Sequence, residues 1–295
     1  MKKISYVVEA PERLYRTIKE RFRTQTREYR HQIAIVAIIK NEGAYIKEWV
    51  TYHTMIGVSH FYLFDNGSTD STKAELVHYI ESGIVDFIPF EGRNRQLPAY
   101  NYALKHYGND CRYMAFIDAD EFLFVMNKAQ RLEDIIDELL NVPAKKSVGG
   151  LAVNWRMFGS SGLEHRPEGG VLENYLYRAA EDGKGNNCIK TIVNPRKVYK
   201  YKQPHFPTYL YGYYSIDENG NKVKGWSHPV EQINKIRINH YFTKSKEEWV
   251  ERRSFGKADK SDEKRTIEEF YAHDNNEIFD DSMLYYVQQM ETQLK

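Results

Sequence analysis

The sequence predicts an α/β fold, a Rossmann-like and mostly parallel sheet flanked by helices, and three observations carry that expectation. Short unbroken apolar runs rich in β-branched residues recur through residues 32–125. Amphipathic stretches of helical period separate them. Each run stops at a polar cluster, so the pattern alternates strand and helix as a doubly wound sheet requires.

Residues 10–31 are polar and basic, with Leu14, Ile18 and Phe22 at helical spacing. They read as an amphipathic helix packed on the domain, with a membrane-surface or partner-binding helix as the second reading. IAIVAII (33–39) is short, apolar and β-branched, as expected of a strand buried on both faces. Lys40-Asn41-Glu42-Gly43 breaks it. Residues 44–55 place Tyr45, Ile46, Trp49, Val50 and His53 three to four apart, a helix that Gly57 ends. HFYLF (60–64) is the second strand and runs into Asp65-Asn66-Gly67-Ser68-Thr69-Asp70, dense in turn formers. A helix over 70–81 follows, capped by Ser68, Thr69 or Asp70. Residues 84–90 give a third strand, 94–107 a helix, and MAFI (114–117) a fourth strand that ends at Asp118-Ala119-Asp120-Glu121. Further on, 131–140 is helical, shorter strands with Gly-rich connections start near 148, and INHYF (238–242) is the last strand. A charged helix runs from Lys246 to about Gly256, and 282–294 is helical. The whole reads as one compact domain with helical N- and C-terminal additions.

Composition excludes several classes. Over 295 residues, 42 Lys+Arg face 41 Asp+Glu, and the net charge of +1 offers no field for nucleic acid. A hydrophobic content of 41% is ordinary for a folded chain. Mean hydropathy is -0.67, and no apolar run reaches the ~18 residues of a spanning helix. MKKISYVVEAPERLYR lacks the apolar centre of a secretory signal. Cys111 and Cys188 stand alone, without metal-type spacing, which suits a reducing compartment. The expected location is the cytoplasm, with the basic N-terminal helix offering a contact at the inner membrane face. The 23 Tyr and 14 Phe fit a Tyr-rich core and rim, or sugar-stacking surfaces.

In an open α/β sheet, ligands bind beyond the carboxyl ends of the strands. Three polar clusters sit there: Lys40 to Glu42, Asp65 to Asp70, and Asp118 to Glu121. Carboxylates packed after a buried strand are costly unless a cation neutralises them. A hard divalent ion, Mn2+ or Mg2+, fits, and such ions keep positions open for substrate phosphates. Asp65, nearest its strand end, is the better ligand candidate of the second cluster, positioned to accept from a ribose hydroxyl or base N–H. Asp70 and Ser68 read as caps.

The order AIVAIIKNEGAYIKEWVTYHTMIGVSHFYLFDNGSTDST, RNRQLPAYNYAL and MAFIDADEFLF resembles glycosyltransferase family 92 and the related family 2 enzymes. VNWRMFGSSG, IKTIVNPRKV and NHYFTKSKEEW resemble the same family, so the likeness spans roughly residues 32–258. It implies a GT-A fold over 32–258, with a nucleotide-binding half (32–125) and an acceptor half (148–245), between an N-terminal helical segment (1–31) and a C-terminal helical extension (259–295). It also implies a metal-dependent, inverting transfer of a sugar from a nucleotide-diphospho-sugar, a UDP-sugar first, to a glycan or lipid-linked hydroxyl, in surface polysaccharide synthesis.

Carried over by position, the resemblance puts Ala37, Lys40 and Glu42 near the nucleotide and Asp65 on its base. Gln96 and Asn101 would border nucleotide or sugar. Asp118 would meet the ribose or a metal-bound water, and Asp120 the metal. His240 is the first choice for a third metal ligand and His205 the second. Lys244 would neutralise the leaving diphosphate; its other reading is a solvated lysine ahead of a Ser245 capping box. Lys190 would reach phosphate or lie at the surface. Trp155 and Phe158 would line the acceptor groove, with core packing the equal alternative for Trp155. Inversion requires a carboxylate to take the acceptor's proton while cations stabilise charge on the leaving diphosphate. Glu121 and Glu173 are preferred for that base over Glu164, Glu181 and Asp182. Two other readings remain: a nucleotidyltransferase, whose phosphate loop of the G-x-G-x-x-G or P-loop type is missing at KNEGAY, and a non-catalytic glycan-binding domain, against which the intact DADE argues.

Overall fold

The computed structural model describes residues 2–23, 28–141, 146–229, 232–253 and 265–293. After α1 (Lys2–Arg21), the chain alternates as its apolar runs dictate: β1 (His31–Ile39), α2 (Ile46–Met55), β2 (His60–Asp65), α3 (Thr72–Glu75), α4 (Val77–Glu81), β3 (Val85–Pro89), α5 (Gln96–Tyr107) and β4 (Cys111–Phe116). The four strands are parallel and lie in the order β3-β2-β1-β4. β1 is apolar on both faces because both are covered. Ile33, Ile35, Ala37 and Ile39 pack with Trp49, Val50, Phe61 and Leu63, while Ala34, Val36 and Ile38 pack with Tyr62, Phe64, Tyr100 and Phe116. The helix expected over 70–81 is two short helices, parted at the fully buried Leu76.

The second half continues with β5 (Glu121–Val125), α6 (Leu132–Leu140), β6 (Val148–Met157), α7 (Val171–Asn174), β7 (Tyr177–Arg178), β8 (Ile189–Val193), β9 (Val198–Tyr201), β10 (Pro207–Tyr209), β11 (Tyr214–Ile216), β12 (Lys222–Val223), β13 (Ile236–His240), α8 (Lys246–Arg253), α9 (Ile267–His273), β14 (Ile278–Phe279) and α10 (Leu284–Gln293). β13 starts earlier than the expected 238–242 and is followed by β14. Residues 254–256 of the helix expected to reach Gly256, and 259–264 of the C-terminal extension, lie outside the described residues.

A ten-stranded sheet runs through both halves in the order β12-β11-β6-β8-β4-β1-β2-β3, with β13 and β5 branching from β6. β8 is antiparallel to both its neighbours, which makes this side of the sheet mixed. The architecture is thus the expected α/β class, parallel at its centre and flanked by helices.

Two topological facts place the site. The chain steps from β1 to β2 to β3, then crosses back so that β4 flanks β1 on the other side, which opens a crevice at the carboxyl ends of β1 and β4. β13 then pairs with β5 in a register that sets His240 opposite Glu121, which brings a late segment against the acidic turn.

α1 docks by its polar side. Arg13 Nε donates to Tyr209 O at 2.8 Å, Arg16 Nη2 to Val198 O at 2.9 Å, and Thr17 Oγ1 accepts from Tyr211 N at 3.0 Å. The apolar spacing seen in the sequence faces outward instead: Leu14 is 52%, Ile18 48% and Phe22 80% exposed. Among the described residues no helix is long and apolar enough to cross a membrane.

Candidate active site

The loops after β1 and β2 are stitched together by backbone-to-side-chain bonds. The amides of Asn41, Glu42 and Gly43 donate to Ser68 Oγ, Thr72 Oγ1 and Asp70 Oδ2, each at 2.9 Å. Gly43 is required there, since a Cβ would lie 2.5 Å from Ser71 Oγ and 2.9 Å from Thr72 N. Asp65 is spent on this turn: Ser68 Oγ donates to its Oδ1 at 2.5 Å, and Ser68 N to both oxygens at 3.2 Å. Its carboxylate therefore does not face the cavity, while Asn66 and Asp70 do.

The acidic turn after β4 is organised by charge. Asp118 Oδ1 accepts from Gln96 Nε2 at 2.8 Å, and Lys190 Nζ reaches Oδ2 at 2.8 Å. Glu121 is fully buried, its Oε2 accepting from Asp118 N at 3.0 Å and its Oε1 3.7 Å from Lys190 Nζ. Burial pushes the Glu121 carboxyl far above its ordinary range, against the opposing pull of Lys190. Asp120 behaves oppositely. Burial would raise it, but Arg252 and His240 outweigh burial and hold it well below the carboxylate range. Arg252 Nη2 donates to Asp120 Oδ2 at 2.8 Å, and His240 Nε2 lies 3.5 Å from Asp120 Oδ1.

These elements border a cavity of 1110 Å³. Of the sequence candidates, Lys40, Glu42, Gln96, Asp118, Asp120, Trp155, His205, His240 and Lys244 line it. Burial raises the Glu42 carboxyl and lowers His205 to about 4. Lys244 is buried, not solvated, with positive φ and its Nζ 4.5 Å from the centre of the Tyr45 ring. Beside it the expected capping box forms: Ser245 N donates to Glu248 Oε2 at 3.2 Å and Glu248 N to Ser245 Oγ at 3.3 Å.

Other candidates lie elsewhere. Ala37 is in mid-strand, covered on its face by the core. Asn101 clamps β9, its Nδ2 donating to Tyr201 O and its Oδ1 accepting from Tyr201 N. Lys190 is 1% exposed and committed to two carboxylates. Phe158 is fully buried against Tyr241. Glu173 is an exposed helix cap, accepting from Gly170 N at 2.6 Å. Glu121 is the turn's internal brace. Glu164 pairs with Lys246, and Glu181 with Arg156 and Arg178. Sequence reasoning missed Arg252, Arg166 and Glu251, all on the cavity wall. A signal existed for Arg252: it lies three residues after the fully buried Trp249, on the inward face of α8.

The donor set fits a divalent ion held in part by its substrate. Two ligands of one octahedral ion sit about 3 Å apart, close to the Asp120–His240 separation of 3.5 Å. Among the described residues no group of three or more His, Cys, Asp or Glu is placed to hold a metal ion, so the protein would supply only these two ligands. Diphosphate and water would complete the shell, as is usual for Mg2+.

A family profile described as Glycosyltransferase family 92 matches residues 36–272. The chain belongs to glycosyltransferase family 92. Curated relatives carry the same family name: a protein of Ricinus communis is 28% identical over 56% of this chain and 30% of its own length, and one of Oryza sativa 22% identical over 82% and 41%. This family 92 chain therefore spans well under half the length of these relatives. Among solved structures, it is similar to S. aureus TarS 1-349 in complex with UDP (16% identity, 56% of this chain, 47% of that chain, TM-score 0.37). It is also similar to Mycobacterium tuberculosis glucosyl-3-phosphoglycerate synthase in complex with Mn2+ and UDP-glucose (18%, 43%, 44%, TM-score 0.28).

Proposed function

We propose that this family 92 chain transfers a sugar, with inversion, from a nucleotide-diphospho-sugar to a hydroxyl of a glycan or lipid-linked acceptor, and that a divalent ion assists. One observation carries the reading: the crevice at the ends of β1 and β4 sets Asp118 and Asp120 against buried cations and His240, inside a cavity large enough for a nucleotide sugar. A UDP-sugar is the donor we favour. Surface polysaccharide synthesis and a cytoplasmic site of action complete the proposal, and the exposed Leu14, Ile18 and Phe22 support a peripheral contact with a lipid surface.

Asp120 and His240 would hold the ion. When bound, it would offset the negative charge that builds on the diphosphate as the anomeric bond breaks. Lys244 and Arg252 would add fixed positive charge on the same side. Asp118, held by Gln96 and Tyr100 at Oδ1 and by Lys190 at Oδ2, lines the cavity, where it would accept from a ribose hydroxyl in addition to these bonds. Trp155, half-buried on the wall, offers a face on which sugar C–H bonds stack.

The acceptor's proton needs a carboxylate that reaches the cavity, which Glu121 and Glu173 do not. Among the described residues, Glu42 lies beside Lys244 and Arg252 on the diphosphate side, Asp70 is taken by Gly43 and Thr72, and Glu248 by Ser245 and Tyr175. We assign the role to Glu251, on the cavity rim and paired with Arg166.

A thermal-shift screen of UDP-, GDP-, CMP- and dTDP-sugars with and without Mn2+ tests the reading. At least one sugar nucleotide should raise the melting temperature only when metal is present. No metal-dependent shift with any of them refutes it.

A further inference from the structure

A carboxylate meant for a divalent ion has to be kept in its ionised, correctly aimed state when the ion is away. Asp120 is 6% exposed and sits at the end of a buried strand, where an unpaired charge is costly. The partner it has is Arg252, with Nη2 2.8 Å from Oδ2. Oδ1, the oxygen turned to His240 Nε2 at 3.5 Å, takes no hydrogen bond from the guanidinium. The two oxygens are thus divided between a cation of the protein and the imidazole.

Arg252 is built to change partners. It lies in the last turn of α8, where the helix dipole favours a positive charge. Its Nη1 has a second hold on Phe242 O at 3.1 Å, a bond independent of Asp120. Its side chain is about one-quarter exposed and lines the cavity beside Lys244 and Glu42. A planar guanidinium bonds phosphate oxygens as well as it bonds a carboxylate.

We propose that Arg252 is the resident counter-ion of the ion site: it occupies Asp120 in the ion-free protein, competes with a divalent cation for that carboxylate, and turns to the donor's diphosphate when the cation arrives with it. This rests on the function proposed above. It makes ion and nucleotide binding mutually dependent, because a bare ion must displace Arg252 whereas an ion bringing a diphosphate gives the guanidinium a new anion.

The test is Mn2+ binding to the whole protein, read from the electron paramagnetic resonance signal of free Mn2+, with and without UDP. Arg252→Gln should bind Mn2+ alone about tenfold more tightly than wild type, because the competing charge is gone. The same variant should bind UDP in the presence of Mn2+ about tenfold more weakly, so the linkage between the two ligands collapses. Arg252→Lys keeps the charge and should stay near wild type for Mn2+ alone, which also covers the case in which Arg252→Gln does not fold. If Mn2+ binds wild type in an Asp120-dependent way and folded Arg252→Gln shows no gain, or Arg252→Lys departs as far as Gln does, the counter-ion role is wrong while the transferase reading stands. If neither wild type nor the variants bind Mn2+ with or without UDP, both fail.

Discussion

Lys190 Nζ, on β8, lies 2.8 Å from Asp118 Oδ2, beyond the end of β4. An antiparallel strand from the second half of the chain thus supplies the cation that steadies the acidic turn after β4. The same ammonium is 3.7 Å from Glu121, which is fully buried. Lys190→Met would leave both carboxylates without it, and removing one partner of a buried pair costs about 3 kcal/mol. Urea unfolding should report that loss, and Glu121→Gln in the Lys190→Met background should recover part of it. A Lys190→Met protein with the wild-type midpoint would show that the pair contributes nothing.

The two candidate histidines separate by geometry. His240 Nε2 faces Asp120, whereas His205 Nδ1 is 3.1 Å from Ile189 O, bonded to backbone. His240→Ala should weaken Mn2+ binding in the presence of UDP by about 10–100-fold, the usual range for losing support at a metal site. His205→Ala should change it little. Titration of free Mn2+ decides, and equal losses in the two variants would contradict the assignment.

The parallel half was legible in the sequence because its strands are covered on both faces and read as unbroken apolar runs, as IAIVAII does. The acidic turn was legible because carboxylates after MAFI have few inexpensive explanations. What was not legible depends on pairing between distant segments. Asp65 looks like a ligand in sequence, but its oxygens are consumed by Ser68 three residues on. Lys190 reads in sequence as a phosphate contact or a surface lysine, and its place between Asp118 and Glu121 shows only once β8 is set beside β4. Arg252 sits in a charged helix whose inward face shows only through Trp249. The α1 stripe of Leu14, Ile18 and Phe22 suggested a packing face, yet Arg13, Arg16 and Thr17 make the docking bonds.

His31 and His60 stack at 4.0 Å between ring centroids at the opposite end of the sheet. Burial, then the neighbouring His60, lowers His31 from 6.5 to about 4, and burial lowers His60 as well. The folded-state pKa is depressed, so the unfolded chain takes up protons first. The neutral pair's contribution is whole above about pH 6.5 and is lost as the pH falls toward 4. For His31 alone the loss is about 2 kcal/mol at pH 5. Melting temperatures from pH 7.5 to 5 should fall, and His31→Phe should flatten the fall. Equal slopes for the two proteins would rule the pair out as the cause.

Gly43 offers a prediction that joins fold to site. Its amide donates to Asp70 Oδ2, and the Cβ of Gly43→Ala would fall 2.5 Å from Ser71 Oγ and 2.9 Å from Asp70 Oδ2. The two loops would have to part, at about 1–3 kcal/mol. Because Asn41, Glu42 and Asp70 all border the cavity, nucleotide affinity should fall with stability. Thermal unfolding and a nucleotide-induced shift measured on one sample check both, and a full-size shift in a destabilised variant would separate the loop junction from binding.

Glu251 is the last assignment to be tested, and it turns on position. It lies on the rim, on α8, with Arg166 Nη2 2.5 Å from its Oε2. Under the proposed inverting transfer, a carboxylate on the cavity rim would take the proton of the incoming hydroxyl. Removing a general base costs about 10²–10⁴-fold in rate. Glu251→Gln should therefore lower kcat by that order and leave the UDP-dependent thermal shift at its wild-type size, because the proposal gives this carboxylate the acceptor's proton and no part in holding the donor. An Arg166→Gln control would lose the ion pair but keep the carboxylate, so its rate should fall far less. If Glu251→Gln retains more than about a tenth of the rate, or loses the nucleotide shift in step with activity, the proton goes elsewhere or the residue serves binding.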